Sequence, residues 1–179
     1  MASPVAKALA VGAAFFGGLQ AGVTANRALV QMPAWERLGV ISWANFARAE
    51  NHGLGSAFYP AVGLAAVAFP IALVIVFRRD KTREQLRGLP VYLAAASVVV
   101  WASITRAVLV PAMFHLRDLA DNVNALEPIF STVVQWSAVN DVLHVIAFGL
   151  NLWALIVVFS GSNAKARLTP LAQGPDKLG

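Results

Sequence analysis

Four apolar stretches, each about 20 residues long or longer, leave this chain few ways to fold. They run over about Ala8 to Asn26, Phe58 to Phe77, Leu89 to Met113 and Val133 to Phe159. Each is long enough to cross roughly 30 Å of hydrocarbon as a helix. Of the 179 residues, 58% are hydrophobic and only 13% charged. A water-soluble domain carries about twice that share of charge. The expected class is therefore all-α: an integral membrane four-helix bundle spanning 1–162, followed by a polar tail at 163–179 rich in Pro, Gly and Lys. The lipid bilayer is its first partner.

Lys and Arg set the expected orientation. Lys7, Arg78, Arg79, Lys81, Arg83, Arg87, Lys165, Arg167 and Lys177 fall on one side. Arg27, Arg37, Arg48 and Arg117 fall on the other, diluted by Glu36, Glu50, Asp118, Asp121 and Glu127. The positive-inside rule then places both termini in the cytoplasm of a cell bounded by a plasma (inner) membrane, as a multi-pass protein. The net charge of +5 belongs to these flanks and does not call for nucleic acid. Lys7, the apolar run and the loose cleavage-like "VTA" have the outline of a signal peptide, but a retained first helix is the expectation. The long first outer loop, with Trp35, Leu38, Ile41, Trp43 and Phe46, suits an interfacial helix or lid, or a simple connector. Gly18 and Gly22, with Ala14 at the same spacing, favour close helix packing, inside the bundle or in a homo-oligomer.

Polar residues inside the spans are the candidates for chemistry. At 100° per residue, Trp136, Ser137, Asn140, Asp141, His144 and Asn151 fall within one arc of about 140° on the last helix. That face should point into the bundle, because ionisable groups are costly in lipid. Arg106 lies roughly 10 Å deep and Asp141 roughly 12 Å deep from the same side. The two are placed to pair, or Arg106 snorkels to the headgroups. Gln20 and Thr24 on the first helix, Tyr59 at the start of the second, and Trp101 with Thr105 on the third extend the same polar zone. His52, His115 and His144 all map to the outer half and could converge on a haem or a metal ion, although no ligand motif joins them. The absence of Cys excludes disulfides, thiolate metal sites and c-type haem.

Three patches carry a family resemblance. They are the Gly- and Ala-rich first helix leading into "ANRALVQMPAW", the segment "NVNALE", and "WSAVNDVLH" at the start of the last helix. Together they make the chain resemble the anthrone oxygenase-like family of small four-helix membrane proteins. Family members often carry an Arg three residues after the Asn of the last patch. Here that position is Leu143, with His144 beside it. The resemblance implies a four-helix bundle and an O₂-dependent, monooxygenase-type oxidoreductase that turns a lipophilic phenolic anthrone, or a quinol-type relative, into a quinone. No cofactor is required by that chemistry. His144 would serve as base, Asn140 and Arg106 as partners of the oxyanion, and Asp141 as the orienting carboxylate. Trp101, Trp136 and Tyr59 would stack on flat rings, with Gln20 and Thr24 beside them. Two other readings fit the same residues: an accessory subunit of a larger membrane complex, and a haem- or metal-binding protein using the histidines.

Overall fold

A computed structural model describes residues 3–50, 55–79 and 88–168, with side chains described as far as 160. Among the described residues every regular element is helical. They are α1 (Pro4–Asn26), α2 (Met32–Leu38), α3 (Val40–Glu50), α4 (Gly55–Arg79), α5 (Leu89–Ile104), α6 (Val110–Asp118) and α7 (Val123–Leu168). Ser3 caps α1, accepting the Ala6 amide at 3.1 Å, and Pro4 occupies the first turn, where no amide donor is needed.

Two of these helices run on through a wide, π-helical turn. Arg27–Gln31 joins α1 to α2, and Thr105–Leu109 joins α5 to α6. The amides of Met32 and Val110 reach back five residues, to the carbonyls of Arg27 and Thr105. A proline follows each turn at the same spacing, Pro33 and Pro111. Proline removes the amide that the carbonyl four residues back would take, and its ring crowds that carbonyl. Widening the turn ahead of it accommodates both effects.

The helices capable of crossing a membrane are therefore longer than the hydropathy pattern alone marks out: Pro4–Leu38, Gly55–Arg79, Leu89–Asp118 and Val123–Ser160. The last span closes at Ser160, beside the expected end near Phe159, and its helix runs on to Leu168, into the segment read as a tail. Ala164, Lys165, Ala166 and Arg167 are good helix formers, and nothing in that run interrupts the helix.

Buried positions step by threes and fours along each helix. On α1 they are Ala6, Ala10, Ala13, Gly17, Ala21 and Thr24. On α5 they are Pro90, Val91, Ala94, Val98 and Trp101. On α7 they include Ser137, Asn140, His144, Ala147, Asn151, Ala154 and Val158. This rhythm keeps one seam of each helix facing its neighbours, as in a coiled coil. α1 and α5 each pack against both α4 and α7, so the four long helices form a square, with α1 and α5 on one diagonal. The outward faces carry Phe15, Leu64, Ile75, Val100, Val142 and Ile156, all exposed. An apolar exterior around a seam that holds Asn, Asp and His reverses the soluble arrangement. It fits a multi-pass protein embedded in a bilayer.

The segment expected to be a loop or an interfacial helix is a two-helix cap, α2 and α3. Gly39 makes the corner at φ 86°, a backbone region that favours glycine. Trp35, Trp43, Ala44 and Ala47 pack onto Leu116, Leu126 and Val133. Arg48 ties the cap to the α6–α7 turn. Its Nε donates to the Leu116 carbonyl at 3.2 Å and one terminal nitrogen to that of Leu119 at 2.7 Å. The other meets Asp121 at 2.5 Å. Arg48→Ala should cost roughly 1–3 kcal/mol through the two carbonyls. Asp121 is mostly exposed, so Asp121→Ala should cost less than about 1 kcal/mol. Unfolding of the purified protein in detergent separates the two.

Candidate functional site

The seam of α7 supplies the polar core. Ser137, Asn140, Asp141, His144 and Asn151 are all buried. Asp141 forms an ion pair and hydrogen bond with Arg27. Asn140 donates from Nδ2 to the Thr105 hydroxyl at 3.0 Å. Arg27 and Thr105 each open one of the two wide turns. α7 thus lies between two helices that widen in order to present a partner to it. A π-turn shifts the side chains around it relative to an unbroken α-helix, and such turns are frequent at functional sites.

His144 lies one turn further along. Its Nδ1 donates to the Asn140 carbonyl at 2.7 Å. A carbonyl can only accept, so in the neutral ring Nδ1 holds the proton and Nε2 carries the lone pair. Trp101 covers the ring, with centroids 4.4 Å apart and planes tilted by 34°. Beside them is a void of about 10 Å³, bordered by Gly17, Gln20, Trp101, His144 and Asn151 among others. A space that small has no room for a porphyrin.

A second, far larger space lies beneath the cap. This cleft, about 950 Å³, is bounded by α1, its wide turn, α2, α3 and α7, with Tyr59 of α4, Leu109 of the second wide turn and Met113 of α6. Its walls are mostly apolar, from Phe15, Leu19, Trp35, Trp43, Met113 and Phe148. Its polar groups come from Gln20, Thr24, Asn26, Arg27, Gln31, Glu50, Tyr59 and Ser137. The Tyr59 hydroxyl donates to Glu50 Oε1 at 2.8 Å. Thr24 turns its hydroxyl back onto the carbonyls of Gln20 and Ala21. Two buried polar atoms on cleft residues, Arg27 Nε and Ser137 Oγ, have no protein partner among the described residues.

The residues singled out from the sequence divide into three sets. Asn140, Asp141, His144 and Trp101 come together inside the bundle. Gln20, Thr24 and Tyr59 border the cleft. Arg106, Trp136 and His115 join neither set. Arg106 is exposed and does not pair with Asp141, because Arg27 occupies that role. Trp136 is 37% exposed on the outer surface. His115 is exposed on α6 and forms no metal-binding group with His144, and no cluster of three ligand-type side chains exists among the described residues. His52 lies outside the described residues.

Arg27 and Glu50 enter the site on structural grounds, and Ser137, already on the polar face read from the sequence, lines the cleft. Sequence reading set Arg27 and Glu50 on the outer flank. The signal for Arg27 was its distance to Pro33, six residues, the same as from Thr105 to Pro111. Comparison with protein-family models, curated proteins and solved structures finds no match to this chain.

The Arg27–Asp141 pair has side chains only 26% and 10% exposed. Removing one member strands the other in a low-dielectric seam. Arg27→Gln or Asp141→Asn alone should cost about 3 kcal/mol, and Arg27→Met combined with Asp141→Leu should recover most of it. Denaturant unfolding of the three variants in micelles measures the coupling.

Proposed function

We propose that this protein is a membrane-embedded oxidoreductase that admits a lipophilic phenolic aromatic into the cleft beneath the α2–α3 cap and oxidises it with O₂. The observation that carries this reading is the pairing of an apolar cleft of about 950 Å³ with two unpartnered polar atoms, Arg27 Nε and Ser137 Oγ, on the residues that line it. Small-molecule sites have this size and this economy of polar groups. The family resemblance supplies the substrate class, an anthrone or a quinol-type relative.

The chemistry follows from the side chains at hand. An anthrone reacts with O₂ once it has lost a proton to become an electron-rich enolate. Arg27 and Ser137 donate to the developing oxyanion and favour that loss. Glu50, held by Tyr59, is the carboxylate placed on the cleft wall to take the proton. Asp141 fixes the Arg27 guanidinium and is not free to act as base. His144, the base expected from sequence, borders the small void and not the cleft. In the overall change one atom of O₂ becomes the new quinone carbonyl and the other leaves as water, so no external reductant is consumed.

The same reading places the protein in the plasma (inner) membrane with both termini in the cytoplasm and the cap outside. The basic flanks support it, with Lys7 and Arg78 lying over the rings of Phe159 and Tyr92 at the end opposite the cap. The chain has no cysteine, so single-cysteine variants give a clean test. Cysteine at Ser42 should label with an impermeant maleimide in intact cells, and cysteine at Thr82 only after permeabilisation.

Purified protein in lipid nanodiscs should consume O₂ with a hydroxylated anthrone. Arg27→Gln, with folding checked by circular dichroism, should lower kcat about 100-fold. No uptake with anthrones or hydroquinones, together with stoichiometric co-purification of other membrane proteins, would replace this reading with that of an accessory subunit.

A further inference from the structure

Apart from Asn140 Oδ1, two buried polar atoms remain near the middle of the bundle with no protein partner among the described residues, Nε2 of His144 and Nδ2 of Asn151. Their residues are 3% and 2% exposed. Both border the void of about 10 Å³. Their hydrogen-bonding characters are opposite. With Nδ1 donating to the Asn140 carbonyl, Nε2 of the neutral ring is an acceptor, whereas the Asn151 amide nitrogen is a donor.

We infer that this void is a binding site for a single water molecule, which donates to His144 Nε2 and accepts from Asn151 Nδ2. The volume matches the roughly 10–15 Å³ that one water needs. Gln20 also borders the void, and its amide completes the two to four polar partners typical of buried water. An apolar guest of the same size would leave both atoms unsatisfied, which is unfavourable in a dry interior.

The surroundings fit this occupant. A Cβ at Gly17 would lie 2.9 Å from Asn151 Nδ2, so only glycine leaves the amide where it is. Trp101 holds the imidazole plane. Gln20 lines the large cleft as well as the void, and is the partition through which the water exchanges. The site stands whether or not the cleft turns over a substrate.

The test uses the full chain in liposomes. With His52→Gln and His115→Gln in place, His144 is the remaining histidine of three. Nitrogen-15 labelling of histidine and solid-state NMR then report its tautomer, the hydrogen bonding of Nε2 and magnetisation transfer from water. The expected result is a neutral ring protonated at Nδ1, an Nε2 signal displaced toward the hydrogen-bonded range, and transfer from water to Nε2. Asn151→Leu and Gly17→Ala should each abolish the transfer and return Nε2 to its unbonded position. Either variant suffices if the other fails to fold. A proton on Nε2, no transfer in the parent protein, or transfer that survives these substitutions overturns the site.

Discussion

Hydrocarbon offers no hydrogen bonds, and the rest of this structure depends on that fact. α7 carries a carboxylate, two amides, a hydroxyl and an imidazole along the seam it turns inward. Lipid supplies no partner, so these groups turn inward, although Ser137 Oγ and Asn151 Nδ2 meet no protein partner among the described residues. Asp141 takes Arg27, Asn140 takes Thr105, and His144 takes the carbonyl of Asn140. The facing seam of α1 is built almost wholly of Ala and Gly. Small residues there let the backbones approach closely, which suits packing in a medium without a hydrophobic drive between helices.

The same requirement separates two polar zones. The bundle centre is nearly closed, and its groups bond one another or border the small void. The cleft beneath the cap is broad, and two of the residues that line it, Arg27 and Ser137, each keep a buried polar atom without a protein partner among the described residues. Arg27 belongs to both, holding Asp141 with one nitrogen and bordering the cleft. A charge placed there is fixed before any ligand arrives, so its orientation costs nothing at the moment of binding. The cap closes over this space with two tryptophans and is held to the α6–α7 turn by Arg48.

Much of this was legible in the residues themselves. Hydropathy marked the four spans, and the helical wheel of Ser137, Asn140, Asp141, His144 and Asn151 marked the inward seam. Trp136 shares that arc but is partly exposed, since a ring at the edge of an arc is free to turn outward where a short polar side chain is not. Arg106 was less legible. Depth alone made it a partner for Asp141, yet depth says nothing about which way a helix is rotated. That rotation depends on the wide turns, whose trace in the sequence is a proline six residues on, and Arg27 came to light as the partner only in the structure. The separation of cleft from void was not legible at all. It depends on how Gln20 and Phe148 fill space between α1 and α7, which no spacing rule encodes.

The twin wide turns bear on how such a chain can change over generations. Each adds one residue to a helical turn, and both do so at corresponding points of the two parallel helices on the same diagonal. The added rotation sets the direction in which α2 and α6 leave the bundle, and both then pack against α3. Deleting a single residue from either stretch would swing everything beyond it by about 100° and turn the tryptophans of the cap away from their seat. Each stretch is therefore held to its length by the contacts that lie beyond it, Trp35 after the first and Leu116 after the second.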